Sequence, residues 1–249
     1  MVKQLSDSEL TKTYQDLMTS SETESFLSRD LLLNLLRFIQ QRNHKEQILM
    51  AALMIKRLIY KNANAKLLFK NLDGTQVVLS VFQQNTTDMI LQRILSRIIW
   101  ILSSQDMLKQ TLICNGLGIM TKIFEKSDKI TQSNLIACFR NISSGGAHVR
   151  RRIRSMGCLQ TLLFNILQYA DTTTDATLIE NSCCLLRNLS YRFAPESYLH
   201  YDDNDDSQNK NLFNSAIIPV YLKLLLKPIN VTTIEAIIGS IQNLTSNSK

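Results

Sequence analysis

Residues Glu180 to Phe193 read ENSCCLLRNLSYRF, and their types permit several kinds of chemistry. Cys183 and Cys184 are adjacent thiols. Arg187, Asn188, Ser190 and Tyr191 follow within two turns with a cation, an amide and two hydroxyls. A zinc site needs ligands in paired spacing, and a redox motif needs C-x-x-C. The five cysteines, Cys114, Cys138, Cys158, Cys183 and Cys184, supply neither pattern. His44, His148 and His200 are far apart and form no grouping with Cys or Asp at metal-ligand spacing. The run DDNDD, Asp202 to Asp206, lacks the alternation and the glycine of a calcium loop, and reads as an acidic insertion. Gly145-Gly146 ahead of AHVRRRIR offers an anion a helix N-terminus, but a loop between repeats is the favoured reading. A hydrolase nucleophile elbow needs a strand, and no convincing strand pattern exists. No enzyme, cofactor, metal or small-molecule substrate is therefore expected. The amide and guanidinium at the end of the stretch remain the better candidates.

What must position them is helical. Of the 249 residues only 7 are Gly and 3 Pro, too few turn formers for a many-stranded protein. No apolar run reaches the roughly 18–20 residues that span a bilayer, and the polar N-terminus is no secretory signal. An odd cysteine count in apolar segments predicts buried, reduced thiols in a cytosolic or nuclear chain. The net charge of +7 suits acidic partners of any kind, so its placement matters more than its size.

The chain repeats itself. Helix ends align at Trp100-Ile-Leu-Ser103, Arg140-Asn-Ile-Ser143, Arg187-Asn-Leu-Ser190 and Gln242-Asn-Leu-Thr245, with a weaker copy at Lys56-Arg-Leu-Ile59. The second residue of each copy is Arg57, Ile101, Asn141, Asn188 and Asn243, at intervals of 44, 40, 47 and 55. Gly74, Gly116 and Gly157 mark a second feature, a corner between a short helix and a longer one. A period in the forties with two or three helices per unit is the range of HEAT and armadillo repeats, and the glycine favours armadillo. The fold class expected is all-α, an armadillo-repeat right-handed superhelical solenoid of about five repeats. Residues 1–28 form a polar, partly disordered leader. Residues 29–249 form the repeat domain, with an acidic loop at about 193–212 after Pro195 breaks a helix. The apolar last helix predicts a longer gene product or a covering partner.

Three segments carry a family resemblance: NLIACFRNISSGGAHVRRRIRSMGCLQTLLFNILQYA, DATLIENSCCLLRNLSYRF and AIIPVYLKLLLKPINVTTIEAIIGSIQNLTS. They resemble consecutive armadillo repeats of the delta-catenin and plakophilin branch of catenins. The resemblance reaches back through WILSSQDMLKQTLI and LIYKNANAKLLFKNLDG, covering roughly residues 30 to 247. The family carries about nine repeats, against about five here. It implies a groove that holds an acidic juxtamembrane segment of a cadherin tail. Lys66 matches a groove lysine, and Trp100 matches the tryptophan of a Leu-Trp-Asn-Leu-Ser-Ser run whose asparagine is Ile101 here. Thr177 replaces another groove lysine, and Met54 and Arg57 replace an aromatic and a histidine. The family's inserted loop is lysine-rich, whereas this one is acidic, so its roles do not transfer.

The expected peptide-binding groove comprises Arg57, Lys66, Trp100, Lys109, Arg140, Asn141, Arg187, Asn188 and Asn243. An amide at one position of successive inner helices can donate to and accept from an extended peptide's backbone, or it can tie two repeats together. The wider basic set adds Lys56, Lys61, Lys70, Arg150, Arg151, Arg152 and Arg154, for carboxylate-rich peptides. The function this implies is a non-catalytic adaptor for a cadherin-type tail or other acidic peptide, supporting cell–cell adhesion. It would be cytoplasmic at junctions, reach the plasma membrane through its partner alone, and have the nucleus as a second compartment. The alternatives are a general armadillo scaffold, a karyopherin-like carrier, or a nonspecific nucleic-acid or phosphoinositide binder using Arg150 to Arg154. One tryptophan and a positive face weigh against the carrier, and the lack of stacking aromatics against nucleic acid.

Overall fold

The computed structural model describes residues 5–40, 44–155, 163, 165–170, 175–191 and 217–246. Cys158, Gly157, Pro195, His200 and the acidic insertion at about 193–212 lie outside the described residues. Two compact units are formed, Met1–Cys138 and Phe139–Lys249. Among the described residues the regular structure is entirely helical.

The first unit begins with α1 (Asp7–Thr19) and continues through a 3-10 turn (Glu24–Phe26), α2 (Arg29–Gln40) and α3 (Lys45–Ile59). Then follow α4 (Ala63–Asn71), α5 (Gly74–Gln84), α6 (Met89–Ser103), α7 (Asp106–Thr111), α8 (Leu117–Phe124) and most of α9 (Lys129–Ser143). The second unit holds the end of α9, α10 (Ala147–Arg154), α11 (Ala176–Ser190), α12 (Ile217–Leu225) and α13 (Val231–Ser246). Short, longer and long helices thus alternate as the repeat requires, and α3, α6, α9, α11 and α13 are the third helices. Their apolar stripes form the core: Ile55 and Leu58 of α3, Leu95 and Ile98 of α6, and Leu185 and Leu189 of α11 are all fully buried.

Each third helix starts on a fixed frame. Asp88 accepts from the amides of Ile90 and Leu91, Asp128 from Thr131, Asp175 from Thr177 and Asn230 from Thr233. Such caps satisfy amides that have no partner inside the helix. These residues precede Ile101, Asn141, Asn188 and Asn243 by 13 positions each, and His44, which begins α3, precedes Arg57 by the same number. The unequal period therefore arises wholly outside the third helix.

Within the leader, residues 7–19 form the helix α1. Ser6 and Glu9 close a capping box at its start. Leu10 and Leu17, two turns apart, are completely buried, and α1 packs on α3. Burying two leucines contributes about 3–6 kcal/mol before entropy is counted.

The glycine corners differ from each other. At Gly74 the left-handed residue is its neighbour Asp73, with φ of 52°. Gly74 is needed for space instead, since a Cβ there would meet the Phe69 ring at 2.7 Å. At Gly116 there is no corner: α7 runs into α8 through a π-helical turn, Leu112–Gly116. Phe69 is fully buried and cannot swing away. Gly74→Ala is expected to lower unfolding free energy by about 1–3 kcal/mol through overpacking. Urea denaturation would measure this, and Phe69→Leu in the same chain should recover part of the loss.

Candidate functional site

The asparagines settle into one recurring contact. Asn188 Nδ2 of α11 donates to the Arg140 carbonyl at 3.3 Å and to Ser143 Oγ at 2.8 Å, both in the last turn of α9. Asn243 Nδ2 of α13 does the same to the Arg187 carbonyl and Ser190 Oγ, each at 3.1 Å. In both places the serine hydroxyl also donates to that carbonyl, at 2.8 Å and 2.9 Å. The two acceptors are thus close enough for one N–H to be shared between them in a three-centre bond. The Oδ1 of each amide makes no hydrogen bond among the described residues. Asn134 makes the matching contact earlier in α9, to the Arg93 carbonyl and to Ser96 Oγ.

In the second unit these amides border a cleft of about 620 Å³ lined by Ser143, Arg150, Arg187, Asn188, Tyr191, Glu235, Gly239 and Asn243 among others. Arg187 is exposed at its third helix's last turn, and its stem lies against Gly239, where a Cβ would approach Arg187 Cδ to 3.0 Å. The Arg150 guanidinium stands 5.3 Å from the centre of the Tyr191 ring, and its Nη1 donates to the Ser143 carbonyl. Arg150, Arg187 and Glu235 are the charged residues of this lining.

The other expected groove residues divide by role. Arg140 is paired with Glu180 at 3.0 Å and donates to Asn181 Oδ1 at 2.7 Å, so its charge is spent between helices. Lys66, Lys109 and Arg150 share the fourth position of α4, α7 and α10. Lys66 is only 7% exposed, its Nζ reaches Ser104 Oγ at 3.2 Å, and burial lowers its pKa. It ties the short helix to the end of α6. Lys109 pairs with Asp106 at 2.7 Å. Arg57, at the asparagine position of α3, donates through Nη2 to the Ser20 carbonyl just after α1, at 2.6 Å. Asn141 is half-buried at the equivalent position of α9, where its carbonyl accepts from Ser144 Oγ. Trp100 carries the Arg97 guanidinium 3.8 Å from its ring centre. Arg97 was not among the expected groove residues; its spacing of three from Trp100 on one helix face is the signal that marks it. Arg154 is buried and donates to the Leu189 carbonyl at 2.7 Å, which breaks up the basic run from Arg150.

The adjacent thiols are packing groups. Cys138, Cys183 and Cys184 are buried, whereas Cys114 is exposed, contrary to the expectation that the cysteines are buried. Burial pushes the thiols of Cys138 and Cys183 up to about 12. Among the described residues no group of three His, Cys, Asp or Glu could hold a metal ion. Nor is any described helix long and apolar enough to cross a membrane.

No family model matches the chain. Human catenin delta-2 is 26% identical over 78% of this chain and 21% of its own length. The juxtamembrane domain-associated catenin of Caenorhabditis elegans is 27% identical over 94% of this chain and 22% of its own length. Human plakophilin-4 is 25% identical over 74% of this chain. The chain is thus similar to proteins of the delta-catenin and plakophilin branch. It spans about a fifth of the length of these curated relatives.

Solved structures show the fold to be the armadillo repeat, about five of them. A designed armadillo repeat protein in complex with the peptide (KR)4 matches with a TM-score of 0.70 at 16% identity, over 95% of this chain and 92% of that one. A structure describing a phosphorylation switch in the interaction between cadherin and β-catenin matches with a TM-score of 0.75 at 18% identity, over 95% and 41%.

Two outcomes are expected of this chain. Asn188→Ala removes the donor shared by the Arg140 carbonyl and Ser143, and should lower stability by about 1–3 kcal/mol in urea denaturation. Iodoacetamide at pH 8 should label Cys114 well before Cys138, Cys183 or Cys184, as read by peptide mass spectrometry. The raised thiol pKa values stabilise the fold fully below the ordinary thiol range, and this contribution is lost as pH rises towards 12.

Proposed function

We propose that the chain is a non-catalytic adaptor that grips an extended acidic peptide along α11 and α13 of its second unit, a cadherin-type juxtamembrane tail being the leading partner. The observation that carries this is the half-used amide. Asn188 and Asn243 are held through Nδ2 alone, and each keeps its Oδ1 as an acceptor for a peptide backbone N–H. Arg187 and Arg150 beside them supply charge for carboxylate side chains. The designed relative holds a basic peptide on the same fold, so sign selection resides in the groove side chains and not in the architecture. The likeness to the juxtamembrane domain-associated catenin and to the β-catenin structure supports a cadherin-type tail. Such a protein would act in the cytoplasm at cell–cell junctions, meeting the membrane through its partner.

Fluorescence anisotropy with a labelled, acidic juxtamembrane peptide tests the reading. Binding should weaken at least tenfold between 50 and 300 mM salt, on the order expected when exposed charges are screened. Arg187→Gln should weaken it, and an Arg/Lys-rich peptide should not bind. No affinity for the acidic peptide at low salt would overturn the proposal.

A further inference from the structure

The first unit contains another cleft, of about 280 Å³, lined by Met18 of α1, Lys56, Arg57 and Tyr60 at the end of α3, and Arg97 and Ile101 of α6. Three cations line it and no carboxylate does. Among the described residues none of the three forms an ion pair. Arg57 is oriented by its bond to the Ser20 carbonyl, and its Nε is buried without a hydrogen-bond partner. Arg97 lies on the Trp100 ring, which fixes the plane of its guanidinium. All three cations are half-buried, so they do not form a flat, solvated patch.

Converging cations repel one another, and a bound anion relieves that repulsion. The charge and geometry specify which anion. A carboxylate carries one charge and saturates one guanidinium fork. Two guanidinium groups and an ammonium match a group with nearly two negative charges and three terminal oxygens. We propose that this cleft is a binding site for a phosphomonoester borne on a peptide side chain. Arg57 and Arg97 hold the phosphoryl oxygens, Lys56 adds the third charge, and Met18 and Tyr60 flank the organic part. A membrane headgroup fits less well, because the cations are recessed among α1, α3 and α6 instead of lying on one face. The inference does not rest on the acidic-peptide reading, since its residues all lie in the first unit and a small phosphomonoester tests it alone.

The test uses the full chain. Phenyl phosphate titrated by phosphorus NMR should shift and saturate, while inorganic sulfate at the same concentration should compete only weakly. A labelled short peptide with one phosphotyrosine should bind at least tenfold more tightly than its glutamate counterpart. Arg97→Gln and Lys56→Gln should each remove that difference, and Arg97→Lys should restore part of it, with circular dichroism confirming that each variant is folded. Equal affinity for the phosphotyrosine and glutamate peptides would overturn the proposal. So would a preference that survives in Arg97→Gln, or binding confined to vesicles containing a phosphoinositide. Loss of acidic-peptide binding in the second-unit cleft, with phenyl phosphate binding intact, would count against the adaptor reading alone.

Discussion

The second unit depends on a contact between one side-chain amide and the end of the preceding third helix. The last-turn carbonyls of a helix have no partner inside it, and a solenoid buries many of them. A serine in the last turn bonds back to one such carbonyl, and the asparagine of the next unit then covers carbonyl and hydroxyl together. Leaving these groups unpaired would cost about 1–3 kcal/mol at each joint. The same contact orients the amide, so the joint and the ligand-facing group are one residue. Joining repeats and contacting a ligand are therefore compatible uses of Asn188 and Asn243.

The basic residues show a similar division of labour. Lys66 and Arg154 are buried and cover oxygen atoms at helix ends, and Arg140 is engaged by Glu180 and Asn181. Burying a charge is tolerated only with such partners. Arg187, Arg97 and Lys56 border open clefts instead. The net positive charge is thus partly a device for closing helix ends, and only the remainder bears on ligands.

At the start of the chain, α1 does for α3 what an earlier third helix would do. Leu10 and Leu17 cover apolar surface, and the Ser20 carbonyl receives Arg57, which stands where later units have asparagine. A longer side chain is needed because the accepting carbonyl lies beyond the helix and has no neighbouring serine bonded to it as in later units. Polar composition hid this helix, since two leucines seven residues apart are a thin apolar stripe.

Much of the fold could be read from local pattern. The 3.6-residue periodicity, the repeated Arg-Asn ends and the caps 13 residues ahead of them depend only on short-range hydrogen bonding and burial, which sequence encodes directly. So the helical repeat, the third helices and the positions of Asn141, Asn188 and Asn243 were legible. The fate of each side chain was not. That Lys66 is buried, that Arg140 is paired, that Gly116 sits in a π-helical turn and that Arg97 rests on Trp100 beside Arg57 all involve residues brought together by packing. Lys66 and Lys109 occupy the same place in their repeats, yet one ends against Ser104 and the other against Asp106. Sequence by itself determined which residues lie at helix ends. Tertiary structure alone decided which of their charges are consumed there and which remain for a ligand, because that depends on the partners that neighbouring helices place within hydrogen-bonding distance.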